Sequence, residues 1–131
     1  MPEQSILLGF DFGMRKIGVA VGQMITRTAN PLTMLKAEDG IPHWELVREL
    51  IKIWDIDAIV VGIPLNMDGS TQPLTFAARK FARRLHARFG LPVYTVDERL
   101  TTIAAKRTKN VTQLDSYAAK LILEQWLGEQ G

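Results

Sequence analysis

Four acidic side chains stand where an acid is either costly or well placed for chemistry. Asp11 falls inside Ile6-Leu7-Leu8-Gly9-Phe10-Asp11-Phe12, the most apolar strand-like run of the chain, between two phenylalanines. Aspartate is depleted in strands, and a charge held there costs several kcal/mol unless a cation or hydrogen bonds face it. Capping of the turn at Gly13 is the structural alternative. Asp97 and Glu98 follow Pro92-Val93-Tyr94-Thr95-Val96, at the carboxyl end of a predicted strand, where open α/β sheets bind their ligands. Because side chains alternate along a strand, only one of the two can share a side with Asp11. Asp115 opens a last helix with Ala118, Ala119 and Ile122 at i+3, i+4 and i+7, so small residues and the acid share a face. Simple N-capping, worth ~1 kcal/mol, is its other reading. Three carboxylates converging from a first strand, a later strand end and a final helix suit Mg²⁺ or Mn²⁺, hard cations that take oxygen ligands and keep several waters. Two such ions about 3.5–4 Å apart would activate a water and stabilise the leaving oxygen of a phosphodiester.

The basic residues are placed to complement that chemistry. Net charge is only +2, but no acid occurs from Gly69 to Val96, where Arg79, Lys80, Arg83, Arg84 and Arg88 fall. Arg99, Lys106, Arg107 and Lys109 follow in a second acid-free stretch to Leu114, whereas six acids face two bases between Glu38 and Asp57. This dipolar layout suits a polyanion, with Arg79, Arg83, Arg84 and Arg88 as candidate phosphate contacts. A solvated basic helix face is the plainer alternative. Arg99 is a substrate-binding candidate beside the acidic pair, or that pair's local ion partner.

The elements that must hold these groups follow from pattern. The first strand is followed by Met14-Arg15-Lys16 and an antiparallel partner, Ile17 to Gly22, and Pro31 to Lys36 gives a third, edge-like strand. Val47, Leu50, Ile51 and Trp54 form the apolar stripe of a helix after Pro42. Ala58 to Ile63 is a central strand covered on both faces. Ala77, Phe81, Leu85 and Phe89 mark a second helix, the fifth strand is Pro92 to Val96, and a last helix runs from about Asp115 to Leu127. The order βββαβαβα predicts a mixed five-stranded α/β sheet with helices on both faces, in one domain spanning 1–131.

The chain has no cysteine and only His43 and His86, which excludes thiolate chemistry and leaves little for zinc. No apolar run approaches the ~20 residues of a membrane span, and Met1 to Ser5 lacks a basic leader region. A cytoplasmic protein is expected.

Gly9-Phe10-Asp11-Phe12-Gly13 with Lys16 to Ala20, Val60 to Ser70, Asp97-Glu98-Arg99-Leu100-Thr101, and Asp115-Ser116-Tyr117-Ala118-Ala119 together resemble the YqgF (RuvX) family of RNase H-like nucleases. The resemblance covers nearly the whole chain in order. It implies an RNase H-like fold of strand order 3-2-1-4-5 with strand 2 antiparallel, and a nuclease that processes the 5′ end of pre-16S rRNA in ribosome biogenesis. It also implies kinship with RuvC-type Holliday-junction resolvases. The family's acidic positions fall on Asp11, on Asp97-Glu98 with Glu98 as the inward metal ligand, and on Asp115. Asn66 and Asp68 match positions near the family's site, although Asp68-Gly69 is also a strong turn pair. One departure is plain: relatives carry a longer, glycine-containing segment before the last helix, whereas only Thr102 to Leu114 stands here, without glycine.

Asp11-Phe12-Gly13 also resembles the first phosphate motif of actin-like ATPases, but 131 residues leave no second domain to enclose a nucleotide. A kinase is excluded by the lack of a glycine-rich loop and a catalytic loop. The alternatives retained are a resolvase acting on structured DNA, which needs a twofold dimer, and a non-catalytic factor binding RNA or a ribosomal particle. Trp44 and Trp126 are candidates for an exposed dimer patch.

Overall fold

The structure is a computed structural model that describes residues 1–98 and 116–130. The apolar first strand, β1 (Ile6–Asp11), pairs antiparallel with β2 (Lys16–Gln23), which pairs antiparallel with β3 (Thr28–Glu38). A two-residue β4 (Ile41–Pro42) follows, then α1 (Trp44–Trp54), β5 (Ala58–Ile63), α2 (Pro73–Phe89), β6 (Val93–Asp97) and α3 (Tyr117–Gly128). The sheet order is β4-β3-β2-β1-β5-β6, with β5 parallel to both β1 and β6.

The mixed sheet is thus as expected, with one strand more. Asp39 and Gly40 both adopt positive φ (51° and 78°), the requirement of a two-residue type I′ hairpin, and they fold the chain back so that Ile41 and Pro42 pair with Glu38 and Ala37. The register of β2 against β3 slips once. Val19 faces Thr33 but Ala20 faces Pro31, so Leu32 is an extra residue in a β-bulge.

Strand alternation sorts the sheet into two faces. Leu8, Phe10, Ile17, Val19, Ile59 and Val61 point to the layer of α1 and α2, where Phe81 meets Phe10 edge-on at 5.5 Å and stacks with Trp44 at 6.0 Å. Of the apolar stripe predicted for α1, Val47 is buried, Leu50 and Ile51 are half-buried, and Trp54 stays 39% exposed at the helix end. Leu7, Ala20, Ala58, Val60 and Val96 point the other way, to Ala119, Ile122, Leu123, Trp126 and Leu127 of α3. The expected tryptophan patch is not there. Trp126 is only 7% exposed and stacks on Tyr94 at 4.8 Å, and Trp44 is half-buried under α2.

The helix α3 lies close to the sheet because the strands beneath it carry glycine. A Cβ on Gly9 would come within 2.7 Å of Leu123 Cβ and 3.1 Å of the Ala119 carbonyl oxygen, neither of which can swing aside. We therefore expect Gly9→Ala to destabilise the fold by ~1–3 kcal/mol, the range of overpacked cores, read as a lower urea midpoint with unchanged slope.

Candidate active site

Asp11 ends β1 half-buried, and its neighbours Phe10 and Phe12 turn to the opposite face, into the aromatic layer. The parity that puts Leu7 and Gly9 against α3 puts Asp11 on the same side. On β6, Val93 packs toward α1 and α2 and Val96 toward α3, so Asp97 follows Val93 and Glu98 follows Val96. Glu98 N–H donates to the Ile63 carbonyl at 3.0 Å, which continues the parallel ladder by one residue and fixes that side chain's direction. Glu98, and not Asp97, therefore shares a face with Asp11.

Between the two acids runs β5, and the residue there is Gly62. A Cβ on Gly62 would stand 2.8 Å from both Cδ and Oε2 of Glu98, so the carboxylate occupies the space that a side chain would fill. Glu98 thereby lies over the strand that separates it from Asp11, and it is only 6% exposed. Ile122 Cδ1 closes the same space from above, 2.5 Å from that Cβ position. On the far side of Asp11 is Gly18, paired with it in the β1–β2 ladder. Its Cβ position is 3.5 Å from both Asp11 Cβ and Ser116 Cα. The segment entering α3 is thus seated beside Asp11, with Ser116 at the helix N-cap. Asp115 and Arg99 lie outside the described residues. Among the described residues no three metal-ligating side chains cluster.

The loop after β5 has its own internal logic. Asp68 Oδ1 accepts from Ser70 N at 2.8 Å and Ser70 Oγ at 2.6 Å, and Asn66 Nδ2 donates to Ser70 Oγ at 3.0 Å. Both side chains are thus engaged in shaping the turn, with Gly69 at φ 89°. The loop is tied to α2 by Thr75, whose hydroxyl donates to the Pro64 carbonyl and accepts from Gln72 N in a capping box.

The arginines of α2 belong to the other layer. Phe81, Ala82 and Leu85 anchor that helix to the face opposite Asp11 and Glu98. Arg79, Arg83 and Arg88 are exposed and Arg84 half-buried. Arg88 lies over the Trp44 ring at 4.4 Å, and Arg79 over Phe76 at 6.0 Å. Since α2 begins just after the loop at the carboxyl edge of the sheet, Arg79 is near that edge, and Arg88 lies about 13 Å further along the helix.

Comparison with known proteins gives this arrangement a family. Residues 5–129 match the family described as RuvX: Holliday junction resolvase. The chain belongs to the RuvX family. A relative from Coxiella burnetii, named "Putative pre-16S rRNA nuclease", is 63% identical over 138 aligned positions, covering 99% of this chain and 98% of its own. One of the same name from Escherichia coli O157:H7 is 53% identical, covering 95% and 96%. Since 138 positions are aligned to a chain of 131 residues, the Coxiella relative has residues with no counterpart here. The expected shortening before the last helix concerns residues outside those described. Among solved structures, T. thermophilus RuvC in complex with a Holliday junction substrate superposes with TM-score 0.59 at 17% identity, covering 97% of this chain and 96% of that one. The fowlpox virus Holliday junction resolvase gives 0.53 at 14%, covering 95% and 98%. The RuvX chain therefore has the RNase H-like fold, and its family is one of nucleases, hydrolases of phosphodiester bonds. No helix among the described residues is long and apolar enough to cross a membrane.

Gly62 was not singled out by sequence, although a glycine within Ala58-Ile59-Val60-Val61-Gly62-Ile63 marks a close approach to a strand. The contacts of Arg88 give a test of its role. Arg88→Ala should lower thermal stability by ~0.5–1 kcal/mol, the worth of an exposed cation–π contact, and leave nucleic-acid affinity unchanged in a binding titration.

Proposed function

We propose that this chain is a Mg²⁺- or Mn²⁺-dependent nuclease that cleaves precursor 16S rRNA near its 5′ end, in the cytoplasm where ribosomes are assembled. One observation carries the reading: the Glu98 carboxylate is laid over Gly62 on the face that bears Asp11, at the carboxyl edge of the sheet. Keeping a carboxylate charged at 6% exposure costs several kcal/mol unless a cation or hydrogen bonds face it. The donors are all oxygen and no cysteine exists to attract a softer ion, which fits a hard divalent cation. Asp11 and Glu98 would hold it, and Asp115 is proposed as the third ligand because its chain neighbour Ser116 rests against Gly18 beside Asp11. Bound there, divalent ions supply Lewis-acid polarisation of the phosphodiester and lower the pKa of water.

The chain's own residues do the rest. Asp11, fixed by the β1–β2 ladder, and Glu98, fixed by its hydrogen bond to Ile63, present two carboxylates at a set separation. Ile122 and the Gly62 backbone cover the inner side of Glu98. An RNA substrate is favoured over DNA because relatives at 63% and 53% identity carry a pre-16S rRNA name, whereas the junction-bound T. thermophilus RuvC shares only 17%. Asn66, at the same edge, is proposed to flank the substrate, and Arg99 to join it.

The test is cleavage of a pre-16S 5′ leader and of a DNA four-way junction, side by side, with Mg²⁺, Mn²⁺ or chelator. Metal-dependent cutting of the leader should fall on the order of a thousandfold in Asp11→Asn and in Glu98→Gln. Undiminished cutting by Asp11→Asn would refute the site, and symmetric cutting of the junction alone would make the protein a resolvase. Gly62→Ala gives a second readout. Its clashes are with side-chain ends that can shift, so cleavage should drop at least tenfold while the melting temperature moves little.

A further inference from the structure

Two lysines face each other on the carboxylate side of the sheet. Lys16, the first residue of β2, is the register partner of Lys36 on β3. Parity puts both on the side of Asp11. Ile17 and Val19 belong to the opposite core, as do Leu35 and Ala37, whereas Gly18 and its partner Met34 lie against Asp11 and Ser116. The rung therefore stands one side-chain row out from the Asp11–Gly18–Met34 row, about 7 Å along the strands. Arg15, next in the turn, is held to β3 by its carbonyl, which accepts from Ala37 N at 2.8 Å. Arg15, Lys16 and Lys36 line one groove together with Glu38, Asp39 and His43.

A solvated surface does not require this pairing. Like charges directly opposite across antiparallel strands destabilise a sheet, and here they recur on the row next to the acids. Both lysines are exposed, and among the described residues neither they nor Arg15 enter an ion pair. Glu38 follows Lys36 by two residues on the same side, so it bounds the basic patch on its outer edge, away from Asp11.

We propose that the Lys16–Lys36 rung, with Arg15, is the subsite that holds the phosphodiester backbone of the RNA strand whose scissile group lies at Asp11 and Glu98. The subsite rests on the nuclease reading for its direction: the strand leaves the carboxylates across β2 and β3, away from β6. It places the binding cations on the carboxylate face, not on the layer of α1 and α2.

The experiment is binding of a fluorescently labelled pre-16S 5′-leader RNA over a salt series, with chelator and in an Asp11→Asn background so that nothing is cut. Added Lys16→Gln and Lys36→Gln should each reduce the slope of log affinity against log salt by about 0.7–0.9, roughly one phosphate contact apiece. Lys52→Gln, which removes an exposed charge from α1 on the other face, should leave the slope alone. The melting temperature of either variant at the rung should hold or rise, since a repulsive pair is relieved. A slope unchanged in the Lys16→Gln, Lys36→Gln double variant overturns the subsite, as does a loss of affinity that comes with a lowered melting temperature and an unchanged slope. Cleavage by the otherwise unaltered chain separates the two ideas. If it cuts the leader while the slope is unmoved by the lysines, the subsite alone is wrong. If the slope falls but no metal permits cutting, the subsite stands and the nuclease reading is wrong. A parent protein that does not bind the RNA removes both.

Discussion

The depth at which α3 rests on the sheet governs the rest of this structure. Leu123 and the Ala119 carbonyl sit where a side chain on Gly9 would be, Leu123 Cδ2 sits over Gly22, and Ile122 sits over Gly62. This close seating buries Ile122, Leu123 and Leu127 completely, at roughly 1.5–3 kcal/mol for each side chain. It also decides where the chain leading into α3 meets the sheet, since Ser116 follows the helix to rest in van der Waals contact over Gly18. A side chain on Gly9, which would meet Leu123 Cβ and the Ala119 carbonyl, would lift the helix, and Ser116 would move away from Asp11 with it. Packing and site geometry are therefore one constraint.

The two faces divide the work. The face under α1 and α2 is thick and aromatic, with Phe10, Phe12, Phe81, Trp44 and Phe89 interlocked at centroid distances of 5.1 to 6.3 Å. It anchors β1 on both sides of Asp11 through Phe10 and Phe12, so an acid in the middle of an apolar run is held by its neighbours and not by its own burial. The face under α3 is thinner, built mostly from glycine, alanine and valine with Leu7 and Met24 at its far end, and it leaves room at the carboxyl edge for polar groups.

Much of this was legible in the sequence because it rests on periodicity. The apolar run of β1, the β-branched run of β5 and the helical spacings of α2 and α3 depend only on which residues are apolar. Side-chain alternation along a strand requires that one of Asp97 and Glu98 share the side of Asp11, but choosing between them needs the parity of β6, which rests on whether Val93 or Val96 meets α3. The extra strand β4 does not show in the pattern although Asp39-Gly40 is a hairpin signal, since two residues are too few to show a period. The burial of Trp126 depends on Tyr94, a contact between elements far apart in sequence. The side of the sheet that α2 would cover was likewise invisible, so a basic helix could be recognised without showing that it lies across the sheet from the acids.

The bulge at Leu32 acts as a phase shifter along β3. Before it, Ala29 faces α3, and after it the even-numbered Met34 and Lys36 do, so a single strand serves the helix with odd residues at one end and the carboxylate edge with even residues at the other. The bulge absorbs the extra residue, so both ends keep their partners on β2, Ala29 opposite Gly22 and Lys36 opposite Lys16. Were Leu32 absent, Pro31 and Thr33 would be neighbours opposite Ala20 and Val19, and the ladder would run unbroken with Ala29 still under the helix and Lys36 still opposite Lys16. What such a deletion would remove is the bend and added twist that the bulge gives β3, and the half-buried Leu32 side chain on the aromatic layer. A one-residue deletion at Leu32 is therefore compatible with both faces of the strand, whereas a further inserted residue would have to be taken up by a wider bulge or would turn one end of β3 over.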